Sequence, residues 1–350
     1  MTEQQDDKTL NLYPIDYPFE TLVSRITSEK PKLILNPDFQ RKYKWDKEGW
    51  GRASKFIESC LMRIPLPSCY FAEDEQGRHL VIDGVQRLTT IKKFFRDEFS
   101  LEGMTIFKNL EGKKFSEIGN YQSELEATTI RCIVLRKENP KKLIREIFAR
   151  LNQGAVKLSS QEIRHAIYPG CFDDLLVELS KIPLIADFSL TENSNRSKDD
   201  REAEEQVLRF FAFNDQNEKL EDYEGNLGTF LDDYMEKKAI LDEEEINRLR
   251  VLFTSALEKC EAVFGDTVFS DTTKQRSKQG LVYYDLLMPT VGVLEQIVID
   301  SKTPNIQSAF RELCMSNTFR KTLSGGLQKK TSILRRRMQW RALLENAING

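Results

Sequence analysis

The stretch HLVIDGVQRLTTIKKFF, residues 79–95, sets the architecture of the first half of the chain. Residues 79–83 read as an apolar strand, Asp83-Gly84 interrupts it, and a helical pattern starts at once with Gln86 and Arg87 in its first turn. This order predicts a strand that turns directly into a helix. A helix N-terminus carries unpaired backbone N–H groups and about half a positive charge, so the corner suits an anion.

The side chains at this corner fit a phosphate-bearing ligand. Gly84 leaves room for a ligand to approach the backbone, and the Arg87 guanidinium matches the geometry of phosphate or carboxylate oxygens. Asp83 could hold Mg²⁺, orient a water molecule or bond to a sugar hydroxyl, and Thr90 adds a hydroxyl one turn later. The combination favours a nucleotide or phosphodiester site. The alternative is a structural turn in which Asp83 caps the helix and pairs with Arg87.

The composition limits the protein class. The chain has 350 residues, 40% of them hydrophobic, which is enough for two ordinary domains. Its net charge is −3, so contact with nucleic acid would need a local basic patch. The N-terminus is polar and no long apolar run occurs, so we expect a soluble cytoplasmic protein. The six cysteines have no metal-binding spacing and are expected to be reduced.

The hydropathy pattern predicts strands up to residue 135 and helices after it. The expected strands are 33–35, 69–73, 79–83, 104–107 and 129–135. A hairpin turn is expected at 74–77. Asp46 is expected to cap the helix that follows it, Pro140 to open another, and Ser159 with Glu162 to form a capping box.

These elements indicate an α+β chain with two domains. We expect a disordered N-terminus at 1–10, a small mixed-sheet domain at 11–190 and a polar linker at 191–201. The remainder, 202–350, is expected to be an all-α domain with a basic C-terminal segment. One of its helices should begin at Asp242, with Glu245 three residues later.

Two further clusters combine polar and apolar residues. Residues 36–45 interleave Gln40, Arg41 and neighbouring cations with aromatics, a pattern suited to stacking and phosphate contact. The alternative is a loop whose aromatics anchor it to the core. The second cluster places Asn152, Glu162 and Arg164 beside apolar helix stripes, which is costly unless they pair or bind something.

Three segments taken together resemble a known family. FQRKYKW (39–45), IDGVQRLTTI (82–91) and IFARLNQGAVKLSSQEIRHAIY (147–168) closely resemble the N-terminal domain of GmrSD-type restriction enzymes, with IPLPSCYF (64–71) between them. The resemblance covers about residues 30–185. It implies a ParB/sulfiredoxin-like fold and nucleoside-triphosphate hydrolysis that governs cleavage of modified or invading DNA.

The resemblance assigns roles residue by residue. It implies that the corner is the nucleotide site, so Asp83, Gln86 and Arg87 are predicted to be catalytic, and the chemistry of the corner makes Asp83 the candidate Mg²⁺ ligand. The nucleotide-binding residues that it implies are Gln40, Arg41, Gly84, Asn152, Glu162 and Arg164, and the position of Thr90 at the corner adds that residue to the predicted set. One position departs from the family, which usually reads Asp-Gly-Gln-Gln-Arg: Val85 stands where the first glutamine would be. This change could alter nucleotide preference, or permit binding without turnover.

The resemblance also raises the question of the nuclease. Family members commonly carry an HNH-type nuclease domain, which needs a histidine as general base. The histidines here are His79 and His165, and none follows residue 165. We therefore expect a stand-alone member whose nuclease is a separate polypeptide.

The C-terminal end is locally basic. Eight Lys and Arg residues and no acidic residue lie between 320 and 341. Such a segment suits a phosphate backbone. The predicted nucleic-acid contacts are Lys329, Lys330, Arg335, Arg336, Arg337 and Arg341. The alternatives are a solvated terminal helix and a site for an acidic partner protein.

Three hypotheses follow. The first is a nucleotide-hydrolysing sensor of an anti-phage defence or restriction system, which acts on phage or modified DNA with a separate nuclease. The second is a self-sufficient nuclease using Mg²⁺ held by Asp83 and Glu162. The third is a nucleotide- or DNA-binding adaptor without activity. A homo-oligomer is possible in each case.

Overall fold

A mixed five-stranded sheet forms the centre of the first of two compact units, residues 1–167 and 168–350. The structure, a computed structural model, describes residues 10–35, 43–46, 49–151, 159–188, 201–215, 223–274 and 278–350. The strands are β1 (Leu12–Pro18), β2 (Leu33–Ile34), β3 (Cys69–Glu73), β4 (His79–Asp83) and β5 (Thr129–Leu135). Their spatial order is β1-β5-β3-β4-β2.

The sheet combines both kinds of pairing. β1 pairs with β5 and β3 with β4 in antiparallel fashion, whereas β3 with β5 and β2 with β4 are parallel. Phe71, Val81, Cys132 and Val134 share one face and are fully buried. The α+β class predicted for this part of the chain is confirmed.

Helices make up most of the rest of this unit. They are α1 (Phe19–Thr27), α2 (Gly51–Leu61), α3 (Val85–Phe95), α4 (Tyr121–Ala127), α5 (Lys141–Leu151) and α6 (Ser160–Ile167). The first four pack on one another around the core, and α5 packs against β4 and α6. Single 3₁₀ turns lie at Lys108–Leu110 and Phe115–Glu117.

The predicted strands agree with the structure except at two places. Strands 69–73, 79–83 and 129–135 have the predicted bounds, and the hairpin turn is closed by Asp74, whose Oδ1 accepts from Arg78 N at 2.8 Å. β1 was missed because its prolines obscure the alternation. As an edge strand that pairs with β5, it tolerates residues without an N–H group.

The expected helix cap at Asp46 is wrong. α2 begins at Gly51, after Gly49 in a left-handed conformation with φ +88°, and Trp50 occupies the cap position. Trp50 N instead donates to Glu102 Oε2 at 2.7 Å. Two of the other predicted caps are confirmed. Glu162 Oε2 accepts from Ser159 N at 2.6 Å, and Asp242 Oδ1 accepts from Glu245 N at 2.9 Å.

The described part of the second unit is helical. Its helices are α7 (Cys171–Leu179), α8 (Pro183–Ala186), α9 (Glu202–Asn214), α10 (Leu227–Lys238), α11 (Glu243–Phe264), α12 (Leu281–Leu287), α13 (Gln296–Met315), α14 (Asn317–Lys321) and α15 (Lys330–Asn349). Phe172, Phe210, Phe211 and Phe253 pack at its centre. No described helix is both long and apolar enough to cross a membrane.

The domain limits proposed from the sequence remain predictions. α7 and α8 belong to the second unit, because the two units divide between residues 167 and 168. The expected linker at 191–201 lies outside the described residues except for Arg201, and so does the N-terminus up to residue 9.

The strand predicted at 104–107 is wrong because Glu58 holds this segment in another conformation. The buried Glu58 carboxylate accepts from the backbone N–H of Thr105, Ile106 and Phe107 at 2.7–3.0 Å. It also accepts from the Thr105 hydroxyl at 2.9 Å. Donors that converge on one carboxylate are not available for a sheet ladder. Burial alone would raise the pKa of Glu58, but these hydrogen bonds outweigh it and lower the pKa.

Glu58→Gln should therefore destabilise the protein in a pH-dependent way. The amide keeps one acceptor and turns an NH₂ group toward N–H donors, so we expect a loss of about 1–3 kcal/mol at pH 7. Because the folded pKa is lowered, the stabilisation is present above the unfolded value and is lost as pH falls through the folded value. Denaturant unfolding should thus show wild type and variant converging at acidic pH. Glu29→Gln, at an exposed position, should change little at any pH, and an equal effect there would contradict this account.

Candidate functional site

The corner between β4 and α3 has a backbone that only glycine adopts easily. β4 ends at Asp83, and Gly84 caps α3 with φ +103° and ψ 5°. A Cβ atom placed at residue 84 would lie 2.4 Å from the Cys69 sulfur. The fold itself therefore requires Gly84, whatever its role toward a ligand.

Asp83 does not cap the helix, contrary to one alternative from the sequence. The cap position belongs to Gly84, so the cap residue has no side chain that could cover the N–H groups of the first turn. This leaves the N-terminus of an eleven-residue helix next to a carboxylate that is 44% exposed. The corner thus combines a helix N-terminus with an accessible acid.

Arg87 ties the corner to the loop before β3. Its Nη2 donates to Asp83 Oδ2 at 2.9 Å and to the Ser68 carbonyl at 3.2 Å, and its Nη1 donates to the Pro67 carbonyl. The Arg87 side chain is only 13% exposed. The pairing with Asp83 predicted by the structural alternative is therefore present, and Arg87 has a role in the fold.

Cys69 and Cys132 lie beneath the corner. They face each other across the parallel pair β3 and β5, and both are fully buried. The Cys132 thiol donates to the Ile130 carbonyl at 3.6 Å. Neither cysteine, nor the carbonyl acceptors of Pro67 and Ser68, was identified as part of the corner from the sequence. The signal was available in IPLPSCYF, which precedes the corner by one hairpin.

The first of the three family segments, FQRKYKW (39–45, called the first motif), contacts the corner through its described residues. Lys44 N donates to Gln86 Oε1 at 3.0 Å, and Tyr43 OH bonds to Thr90 Oγ1 at 2.8 Å. Thr90 also donates to the Gln86 carbonyl at 2.8 Å and is fully buried. Its hydroxyl therefore makes hydrogen bonds within the fold. Burial raises the pKa of Tyr43 to about 12. These contacts hold the end of the first motif against the start of the second.

The described aromatics of residues 36–45, Tyr43 and Trp45, pack against the fold, as the structural alternative predicted. Trp45 packs on Phe56 with ring centroids 5.5 Å apart. Tyr43 lies 6.3 Å from Trp50 and is almost fully buried. The predicted ligand contacts Gln40 and Arg41 lie outside the described residues.

The third motif is built into the fold. Glu162 and Arg164 are fully buried in α6, and Arg164 Nη1 donates to Gln161 Oε1 at 3.1 Å. The capping box with Ser159 accounts for one Glu162 oxygen. Asn152 lies outside the described residues. A role of Glu162 and Arg164 in nucleotide binding remains a prediction.

Asp83 is the only acid at the corner that the sequence assigned to Mg²⁺. Among the described residues, no group of three or more His, Cys, Asp or Glu side chains could hold a metal ion. Mg²⁺ commonly binds through one or two carboxylates together with water and substrate phosphates. The assignment of Mg²⁺ to Asp83 stays a prediction.

The basic segment divides into exposed and buried members. Lys329, Arg335 and Arg341 are exposed and Lys330 is half-buried. Arg336 is buried and donates to the carbonyls of Thr322 and Leu327 at 3.1 and 2.6 Å, and burial lowers its pKa.

Arg337 is likewise committed to the fold. It donates to the Phe213 carbonyl at 3.2 Å and lies 5.1 Å from that ring's centroid, and burial lowers its pKa to about 10. Both guanidinium groups thus donate to backbone carbonyls within the fold, and the contact of Arg336 and Arg337 with nucleic acid stays a prediction. The helical spacing from Ile333 to Trp340, both buried, could have placed Arg336 on the inner face.

A comparison with protein families matches a segment of the chain that contains the corner. Residues 19–169 match the family model of the GmrSD restriction endonuclease N-terminal domain. This segment is therefore similar to the GmrSD-type N-terminal domain. No curated protein and no solved structure matches the chain. The matched residues include the corner, the described end of the first motif and the helices α5 and α6.

Gly84→Ala should be far more costly than an ordinary glycine substitution. The left-handed backbone and the collision with Cys69 together should destabilise by on the order of 2–5 kcal/mol. Gly77→Ala is the matched control, because Gly77 has φ +68° but nothing within 4 Å of its Cβ position. Its cost should be about 1–2 kcal/mol.

A double-mutant cycle with Cys69→Ala separates the collision from the backbone strain. Removing the sulfur should make the Gly84→Ala cost smaller than in the wild-type background, as measured by denaturant unfolding. Additive costs, or equal costs at residues 77 and 84, would contradict the close contact.

Proposed function

We propose that the corner from Asp83 to Arg87 binds a nucleoside triphosphate. The protein would then be an NTP-hydrolysing sensor of a bacterial defence or modification-dependent restriction system, acting on DNA with a separate nuclease. The match of residues 19–169 to a restriction-endonuclease domain supports a role in restriction or defence. The observation that carries the nucleotide proposal is the glycine-capped start of α3 beside an exposed Asp83.

The chemistry of the corner suits phosphate oxygens. The helix N-terminus and its unpaired N–H groups favour an anion, and the Arg87 guanidinium is a planar donor for phosphate. Arg87 now binds Asp83 and two carbonyls. We expect a phosphate group to replace Asp83 as one of these partners.

This exchange would release Asp83 for its second role. A carboxylate freed from Arg87 and 44% exposed can hold Mg²⁺ that accompanies the phosphates, or orient an attacking water molecule. The catalytic role predicted for Gln86 stays a prediction, and the side chain also has a structural contact. Its Oε1 accepts from Lys44 N, so it positions the loop that follows Arg41 over the corner.

A nucleotide-binding adaptor without turnover is the second candidate. Val85, which replaces the usual glutamine of the family motif, is partly buried and packs against the core. Its side chain therefore serves the fold rather than offering an amide to a ligand. If hydrolysis in the family depends on that amide, this domain binds nucleotide and does not turn it over.

Arg87→Lys tests the nucleotide proposal. Lysine keeps the charge but loses the planar fork, so triphosphate affinity should fall by about 2–3 kcal/mol. Binding is measured by calorimetry with each of the four triphosphates and Mg²⁺, and thermal unfolding without nucleotide reports the structural cost. Arg78→Lys, in the remote hairpin, is the matched control and should leave affinity unchanged. A folded Arg87→Lys protein with unchanged affinity for every triphosphate that binds wild type would refute the proposal, as would a wild type that binds none.

The proposed DNA contact is tested by comparing substitutions of exposed and buried arginines in α15. Replacing the exposed Arg335 and Arg341 by Gln should weaken binding to duplex DNA and reduce the slope of log K against log salt by roughly 0.9 for each lost phosphate contact. Stability should change little. Arg336→Gln should instead destabilise the fold, because two carbonyls lose their donor.

Arg248→Gln is the control for a general charge effect. Arg248 is exposed in the same unit but lies outside the basic segment. An equal loss of affinity in this variant, or none in the Arg335 and Arg341 variant, would contradict a DNA contact through α15.

A further inference from the structure

A polar cluster lies at the end of the sheet opposite the corner. His79 begins β4 and faces Glu73 at the end of β3, as Cα partners of the hairpin. His79 N donates to the Lys32 carbonyl at 2.9 Å, and Lys32 N donates to the Arg25 carbonyl at 3.0 Å. Tyr13 OH lies 3.3 Å from His79 Nε2. The charges of Arg25 and Glu73 both act on His79 and on Tyr13, so these side chains from α1, β1, β3 and β4 lie near one another.

Three buried atoms of this cluster have no hydrogen-bond partner within the part of the chain that the structure describes. They are Arg25 Nε, Glu73 Oε2 and His79 Nδ1. His79 is only 4% exposed, so bulk water does not satisfy its ring. An unsatisfied buried polar group costs about 1–3 kcal/mol, and three such atoms in one cluster need an explanation.

The three atoms define what could satisfy them together. Arg25 Nε–H is a donor and the Glu73 carboxylate is an acceptor, so the missing group must accept one hydrogen bond and donate another. A fully deprotonated anion has no proton to donate to Glu73, and the Glu73 carboxylate would repel any anion. A metal cation would be repelled by Arg25 and would find too few ligands. A water molecule accepts from one neighbour and donates to two others, which is the usual coordination of buried water.

We propose that one ordered water molecule binds among these three atoms, accepting from Arg25 Nε–H and donating to Glu73 Oε2 and to His79 Nδ1. This requires the neutral tautomer of His79 with its proton on Nε2, which donates to Tyr13 OH. The water would join α1 to the β3–β4 hairpin at the start of the strand that ends in Asp83. The proposal is independent of nucleotide binding, since it concerns the opposite end of the sheet.

The surroundings keep His79 neutral. Burial lowers the pKa of His79, and Arg25 acts in the same direction, whereas Glu73 and Asp74 oppose them. Arg136 also faces this end of the sheet, with its guanidinium 4.5 Å from the Tyr13 ring centroid. Because the folded pKa is lowered, the unfolded chain binds the extra proton first as pH falls. Stability should therefore decrease as pH falls through the ordinary histidine value of about 6.5, and level off below the folded value.

Nuclear magnetic resonance of the full chain with ¹⁵N-labelled histidine tests the tautomer. The chain has two histidines, so His165→Gln assigns both signals and is the matched control. We expect His79 to carry its proton on Nε2 and to stay neutral to a lower pH than free histidine. A proton on Nδ1 would overturn the proposal, because His79 would then donate toward Glu73 and could not accept from the water.

A crystal structure at a resolution that shows ordered waters tests the site directly. We expect density for one water within hydrogen-bond distance of Arg25 Nε, Glu73 Oε2 and His79 Nδ1. A direct Arg25–Glu73 hydrogen bond without a water between them would overturn the proposal. In His79→Phe the pH dependence of Tm between about pH 5 and 7 should disappear, whereas His165→Gln should retain it. If His79→Phe does not fold, Tyr13→Phe should weaken the preference of His79 for the Nε2 proton, and an unchanged preference would count against the proposed network.

Discussion

The Arg87 guanidinium is the constraint on which the corner depends. It donates hydrogen bonds to Asp83 at the end of β4 and to the carbonyls of Pro67 and Ser68 before β3. Gly84, between Asp83 and Arg87 in the chain, packs closely against Cys69. Because these bonds connect the helix, the strand end and the preceding loop, one side chain fixes where the N-terminus of α3 points. A charge-assisted hydrogen bond of this kind is worth about 1.5–3 kcal/mol, so its loss would affect fold and site together.

The same bonds explain why structure and function are difficult to separate here. Packing requires the glycine at residue 84, and Arg87 is held by hydrogen bonds within the fold, so neither by itself indicates a ligand. What packing does not require is the exposure of Asp83 beside the glycine-capped start of a helix. This exposed carboxylate at the helix start, together with the family match over residues 19–169, supports the proposal of a nucleotide site.

Local sequence patterns predicted much of the first unit. The alternation at 69–73, 79–83 and 129–135 and the capping boxes act through neighbouring residues, and all are present. The strand predicted at 104–107 failed for a nonlocal reason, because Glu58, about fifty residues earlier in the chain, holds this segment. The burial of Arg336 is also nonlocal, since its guanidinium donates to the carbonyls of Thr322 and Leu327. The Cys69 contact that fixes Gly84 is nonlocal as well, so no local pattern could reveal it.

The most direct measurement is a titration of the isotope-labelled protein with a non-hydrolysable nucleoside triphosphate and Mg²⁺. The backbone amide signals of Gly84, Val85 and Gln86 should shift first, because these groups begin α3 and face the proposed phosphate. The arginine side-chain signal of Arg87 should shift with them as it exchanges partners. Saturable binding that leaves these signals unchanged, or that shifts amides only in the second unit, would contradict the assignment of the corner as the nucleotide site.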